Sequence, residues 1–169
     1  MDLDELDLNL LRELRNDSRQ SVRQLAKALG ESPSTVYNRV KRLEKQEIIK
    51  KFTITFDYDQ LNLSTVAFIF VGLQPPDNVA PDGNAIRKMA KEISQIKGVC
   101  EVHLISGDFD LMVKVRSKSL KTIGQFVIDE LRSKSYVTKT TTNACFETIL
   151  EECETNLEVH PDLQVEMMN

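Results

Sequence analysis

Histidine and cysteine are scarce in this chain, and their scarcity closes off several kinds of chemistry. There are two histidines, His103 and His160, and three cysteines, Cys100, Cys145 and Cys153. The cysteines are odd in number and form no C-x-x-C pair, and the histidines stand far apart in unlike contexts. Neither a metal site nor a disulfide framework is expected from such a set. Cys100 and Cys145 read instead as small apolar residues in strands. No Ser/His/Asp, Cys/His or paired-carboxylate arrangement stands out, so no catalytic residue, cofactor or metal is expected. No apolar run approaches the roughly 20 residues of a membrane span. The acidic N-terminus lacks a secretory signal's basic start and apolar stretch, and a reducing cytoplasm is the expected compartment. Overall positive charge is missing too. The net charge is −4 and the pI near 5.3, which argues against coating nucleic acid through bulk charge but allows one basic module on an acidic body.

What is present is an ordinary soluble composition, 41% hydrophobic and 28% charged, over a length that suits one domain or two small ones. The most informative stretch is 21–52. Val22, Leu25, Ala26 and Leu29 fall on one face of a helix, and after Gly30-Glu31-Ser32 the residues Val36, Val40 and Leu43 repeat at helical spacing. Ser32 is a natural N-cap with Pro33 at the first helical position. A helix, a short turn containing Gly and a capped second helix make a helix-turn-helix pattern. With Val36, Val40 and Leu43 turned inward, the outer face carries Ser34, Asn38, Lys41 and Lys45, with Thr35 at the helix start and Tyr37 and Arg42 on the flanks. Arg39 lies nearer the buried edge. Residues 18–51 hold nine Lys/Arg against three Asp/Glu and so carry +6, while residues 1–17 sum to −4 and 52–169 to −6. Positive charge is concentrated where a duplex would be met, and the DNA-binding set is expected to be Ser34, Thr35, Tyr37, Asn38, Arg39, Lys41, Arg42, Lys45, Lys50 and Lys51.

Before this stretch, residues 2–17 read as a helix with a Leu3, Leu6, Leu10, Leu14 stripe, capped by Asp4 or Asp2. After it, KKFTITF over 50–56 alternates Phe52, Ile54 and Phe56 with polar residues, predicting a short strand or wing. Residues 57–65 read as a polar linker. The run 66–73, VAFIFVGL, is apolar throughout, as a strand buried on both faces would be. Residues 74–84 hold three of the five prolines and predict a loop. Ile86, Met89, Ala90, Ile93 and Ile96 predict a helix ended by Gly98. Strands are expected at 99–106 and 111–116 with a turn at Gly107-Asp108. Leu120, Ile123, Val127 and Leu131 predict another helix, and 137–150 a long last strand. The order is β-α-β-β-α-β, the ferredoxin-like arrangement, making the fold class α+β. The expected domains are a helix-turn-helix at 1–56, the linker, a ferredoxin-like domain at 66–150 and an acidic tail at 151–169 with one anchoring turn near 157–159. Because helices cover one sheet face only, the apolar first strand predicts self-association through the other. A two-fold homodimer would also pair two helix-turn-helix units, as a palindromic operator requires.

The chain resembles the Lrp/AsnC transcription regulators over roughly residues 1–150. Three motifs carry the resemblance: Leu3-Asp4-Glu5-Leu6-Asp7 at the start, Asn38-Arg39-Val40-Lys41-Arg42-Leu43-Glu44 in the second helix of the motif, and His103-Leu104-Ile105-Ser106-Gly107-Asp108-Phe109-Asp110 before the third strand. The proline-rich loop and the tail depart from it. The resemblance implies a dimer built through the sheets, often assembled further into tetramers or octamers, and a small effector, usually an amino acid, bound beside the turn between the second and third strands. Carried over, Ser106, Gly107, Asp108, Phe109 and Asp110 would form one wall of that site, and Thr138, Thr140 and Thr142 another. The residue types suit a zwitterion, which needs a carboxylate for its ammonium and N–H or O–H donors for its own carboxylate. Two further readings stand beside this one. Some haem-biosynthesis decarboxylases resemble the same family, and an architectural DNA-binding protein would share the basic helix.

Overall fold

The computed structural model of the chain describes residues 3–74 and 83–151. It divides into two compact units, one holding the chain up to Thr55 and the other spanning Phe56–Leu150.

The first unit is three helices, α1 (Glu5–Asn16), α2 (Val22–Leu29) and α3 (Pro33–Lys45). Each starts where a side chain can satisfy free backbone N–H groups. Asp4 caps α1 by accepting from the Asp7 N–H at 2.9 Å, and the Asp7 carboxylate accepts in return from the Asp4 N–H at 3.3 Å. Ser21 and Gln24 repeat this arrangement at α2, and Ser32 caps α3 ahead of Pro33. Gly30 ends α2 at φ 69°, a left-handed conformation that glycine reaches at no steric cost. Leu10, Leu14, Leu25, Ala26, Val36 and Leu43 are buried together, and Ile48 and Ile49 fold back onto them. Their N–H groups donate to the Leu43 carbonyl at 3.0 and 3.2 Å. The strand expected at 50–56 does not form. Phe52, Ile54 and Phe56 alternate but remain exposed, because alternation supplies side-chain pattern and not the second strand that a ladder needs.

The second unit is a four-stranded antiparallel sheet in the order β2-β3-β1-β4, built from β1 (Thr65–Leu73), β2 (Val99–Leu104), β3 (Leu111–Ser117) and β4 (Val137–Ala144). Two helices cover one face, α4 (Gly83–Ser94) and α5 (Leu120–Phe126), the latter running into a π turn over Val127–Leu131. The expected ferredoxin-like order is the order observed. Ala67, Ile69 and Val71 of β1 and Leu111, Val113 and Val115 of β3 pack beneath Ala90, Ile93, Ile123, Val127 and Leu131. Their strand neighbours Phe68, Phe70, Met112 and Lys114 therefore face the side without helices. The region expected to be a linker is a built turn of this unit. The Asp57 carboxylate accepts from the N–H groups of Asp59 and Gln60, both at 3.0 Å, and the Arg116 guanidinium lies 3.8 Å over the Tyr58 ring.

Two expectations about strands need correction. β4 stops at Ala144, not at 150, because its partner β1 runs out: Ala67 pairs with Ala144, and Cys145 N–H makes a last bond to the Val66 carbonyl. Of the two cysteines expected in strands, Cys100 lies in β2 and Cys145 does not lie in β4. Cys100 is exposed where the β2–β3 register shifts between Val99 and Glu101, and Cys145 lies half-buried just past β4. Most of the expected 74–84 loop and the turn near 157–159 lie outside the described residues, although α4 already begins at Gly83.

Candidate nucleic-acid interface and effector domain

Of the ten expected DNA-binding residues, eight lie on α3 and two beyond its end. Tyr37, Asn38, Lys41 and Lys45 are exposed on the helix, and Lys50 and Lys51 are exposed beyond it. Lys41 Nζ donates to Glu44 Oε2 at 2.8 Å, an exposed pair one turn apart that raises the lysine's pKa. Ser34 and Thr35 stand at the helix N-terminus with their hydroxyls 2.9 and 2.8 Å from the capping Ser32 Oγ. Arg39 and Arg42 behave differently. Arg39 Nη1 pairs with Asp4 and, at 3.0 Å, with Asp7 Oδ1, while Arg42 Nη2 pairs with Asp7 Oδ2. The Asp7 side chain is wholly buried. The hydrogen bond from Arg39 holds the Asp4 carboxyl below the ordinary carboxylate value, and the same bond raises Arg39. Both arginines thus pair with acids of α1, Arg39 from the expected position near the buried edge and Arg42 from the flank. The sequence did carry a signal for this, two acids three apart on one helix and two arginines three apart on another.

In the sheet domain, the turn after β2 is fixed at its ends. Ile105 N–H donates to the Asp110 carbonyl at 2.9 Å, and Asp110 N–H donates to the Val71 carbonyl at 3.0 Å. Asp110 Oδ2 also accepts from the Leu73 N–H at 2.7 Å. Between these anchors Ser106, Gly107 and Asp108 are exposed, and Gly107 takes φ 122°, where a side chain would be strained. Phe109 lies on the helix-free side, its ring 5.8 Å from that of Phe70 and 4.5 Å from Lys139 Nζ. Thr140 and Thr142 do not join it. Thr140 pairs with Val71 and Thr142 with Ile69, so both point to the helix-covered side, and Thr138 sits at the irregularity beside Gly72. Two of the three threonines of the expected second wall thus face away from Phe109 within one chain. Lys139, Phe70 and Gly72 are the neighbours that sequence reasoning missed. Gly72 is what lets Lys139 lie close, since a Cβ there would come 2.7 Å from Lys139 Cγ.

The helix-free face also carries an ion pair. Lys114 is nearly buried, 9% exposed, and its Nζ donates to Glu101 Oε1 at 2.8 Å, with His103 Nε2 3.2 Å from the other carboxylate oxygen. The hydrogen bond from Lys114 lowers the Glu101 pKa.

Comparison with known proteins places these two units in a familiar frame. Residues 3–44 match the AsnC-type helix-turn-helix domain and residues 66–155 the Lrp/AsnC ligand binding domain. An uncharacterised HTH-type transcriptional regulator of Pyrococcus horikoshii is 43% identical over 150 residues, which is 89% of this chain and 97% of that protein. Among solved structures, LrpC of Bacillus subtilis is 27% identical with a TM-score of 0.75, covering 90% of this chain and 100% of that one. A transcriptional regulator of Neisseria meningitidis, solved as a complex with L-Met, is 22% identical with a TM-score of 0.82, covering 92% of this chain and 97% of that one. The likeness spans both units, their order and the sheet topology, and the relatives are named as regulators. This chain belongs to the Lrp/AsnC family of transcriptional regulators.

Proposed function

We propose that this regulator reads double-stranded DNA through the outer face of α3 and that an amino-acid effector acts on its sheet domain, changing assembly or DNA affinity. The observation that carries the reading is the division on α3. Arg39 and Arg42 are spent on α1, which leaves Asn38 beside Tyr37, Lys41 and Lys45 on an exposed face. An asparagine amide pairs in bidentate fashion with adenine in the major groove, so Asn38 supplies base readout. Lys45, Lys50 and Lys51 supply phosphate contacts, which position without specifying. Ser34 and Thr35 stand at a helix N-terminus, where the backbone favours an anion.

The effector reading shifts with the geometry. Asp110 is engaged by the Leu73 N–H, so Asp108, the exposed acid of the turn, takes the effector's ammonium. Lys139, held over Phe109, takes its carboxylate. The Neisseria meningitidis regulator of the same fold was solved with L-Met, and an amino acid is the effector class proposed here. A second copy of this chain covers the helix-free face, where Phe68, Phe70 and Met112 are only half-buried. The resulting homodimer pairs two reading heads for a palindromic operator, with tetramers or octamers as further assemblies.

The test is a thermal-shift screen over the amino acids, followed by fluorescence anisotropy on duplexes selected from a random pool, with and without any hit. Saturable binding to defined sites that an amino acid shifts is the expected result. Binding that never saturates at defined sites would favour an architectural role.

A further inference from the structure

We infer that Asp4 and Asp7 act as built-in competitors of DNA phosphate, holding Arg39 and Arg42 off the duplex and so making Asp7 a specificity-determining residue of the reading head. The inference rests on the proposed DNA face of α3. Four observations carry it. The two carboxylates are fixed before any arginine is considered, because each accepts the other's backbone N–H in the α1 capping box. They are therefore a preorganised anionic pair and not surface acids that happen to be near. Both Asp7 oxygens then meet guanidinium groups, Oδ1 with Arg39 at 3.0 Å and Oδ2 with Arg42, while Asp4 takes Arg39 as well. The Asp7 side chain is wholly buried, yet the Arg39 and Arg42 side chains are 25% and 42% exposed. The arginines thus sit at the rim of the unit, within a rotamer change of solvent, and the acid that restrains them lies beneath.

The consequence is electrostatic. The segment 18–51 carries +6 by sequence, but two of those charges are paired with acids of α1. Non-specific affinity for DNA grows with the number of phosphates neutralised and is indifferent to sequence, whereas base contacts set selectivity. Restraining two arginines lowers the non-specific background while leaving Asn38 in place, which widens the ratio between selected and random sites.

The experiment compares the full chain with its Asp7→Asn, Asp7→Glu and Arg39→Gln variants, and the double variant Asp7→Asn/Arg39→Gln. Anisotropy is measured against potassium chloride on a random-sequence duplex and on a duplex selected by the unaltered chain. Asp7→Asn keeps an oxygen for the capping box and removes the charge. It should bind random duplex several-fold more tightly at low salt and steepen the log–log salt slope by about 1–2, as one or two added phosphate contacts require. The ratio of selected to random affinity should fall, and Asp7→Glu should restore it in part. Arg39→Gln should leave the slope unchanged alone but reverse part of the steepening in the double variant. An unchanged slope in Asp7→Asn, or parallel loss on both duplexes with a lowered melting temperature, would overturn the inference and leave Asp7 a purely structural residue. Should Asp7→Asn not fold, a flatter slope in Arg39→Gln alone would overturn it, since that arginine would already be on phosphate, and an unchanged slope would support it. Lys50→Ala serves as the control for the underlying reading. If it fails to flatten the slope, the assignment of the DNA face is at fault and not the restraint.

Discussion

The carboxylate of Asp110 accepts the backbone N–H of Leu73 across 37 positions of sequence, at 2.7 Å. That bond ties the turn after β2 to the end of β1 and makes Asp110 part of the scaffold. Asp110→Ala removes a charged acceptor and leaves the Leu73 N–H to find water, which should cost about 1.5–3 kcal/mol of stability. Asp110→Asn keeps an oxygen in the same place and should cost less. Urea denaturation of the two variants checks the order, and equal losses would show that the bond contributes nothing beyond side-chain volume.

The ammonium of an effector must then find another acid. Asp108→Asn should leave stability and ligand-free DNA binding unchanged while raising the effector concentration needed for half-maximal response at least tenfold, roughly 1.4 kcal/mol or more. Lys139→Met should do the same if it holds the effector's carboxylate. Titration of DNA affinity against the effector found by the thermal-shift screen is the measurement. An unchanged midpoint in both variants would move the site elsewhere.

How much of this was legible beforehand follows from how far apart the deciding residues lie. Ser32-Pro33, Gly30 and Gly98 announce helix boundaries within a few positions, and the helices appear where those signals put them. The unbroken apolar run at 66–73 identifies β1 for the same local reason. The end of β4 was not legible, because it depends on where β1 runs out and not on its own threonines. Alternation at 50–56 misled in the same way, having no strand to pair with. The partners of Asp7 and Asp110 lie 32 to 37 positions away, so spacing within one element can hint at a pairing but does not fix it. Thr140 and Thr142 share one side of the last strand, but the register with Val71 and Ile69 decides which side, and the irregularity beside Gly72 separates Thr138 from them.

The division of labour on the DNA face makes a separable prediction. Lys50→Ala should reduce the magnitude of the log–log salt slope by about 0.9 and weaken all duplexes alike. Asn38→Ala should leave the slope nearly unchanged and lose about 1–3 kcal/mol of discrimination at the base it reads. Anisotropy on a panel of singly altered sites distinguishes the two. Uniform losses from both substitutions would contradict the assignment of Asn38 to base readout.

Assembly gives a further test. Phe68 and Phe70 both face the side of the sheet without helices, so Phe70→Asp should disrupt a sheet-mediated dimer by burying a carboxylate in an apolar seam, and Phe68→Asp should do so less, since Lys114 stands opposite it. Sedimentation velocity should show monomers, and affinity for a two-half-site duplex should fall toward that of a single half-site. Dimers that persist in both variants would place the interface elsewhere.

The last prediction concerns the Lys114–Glu101 pair and the acid limb of stability. Lys114 is nearly buried on the same face and Glu101 about a third exposed, so the pair mixes a costly buried ammonium with a screened carboxylate. Lys114 holds the folded Glu101 pKa below its ordinary value of about 4.5. A carboxyl depressed on folding contributes stability that is present in full above the unfolded value and lost as pH falls through the folded one. The chain should therefore lose stability below about pH 4.5 more steeply than Glu101→Gln, whose position has nothing to titrate. At neutral pH the contribution is present in full. Glu101→Gln takes a carboxylate from beside a nearly buried cation and should be less stable than the parent by on the order of 1 kcal/mol, the modest size reflecting solvent at Glu101. Lys114→Met removes the ammonium and its desolvation cost together, so combining it with Glu101→Gln should recover most of that loss. Thermal melts of the four proteins from pH 3 to 7 provide the cycle. If Glu101→Gln matches the parent at pH 7, or if the double variant is as unstable as the two single losses added together, the pair does not couple and its proximity is without energetic consequence.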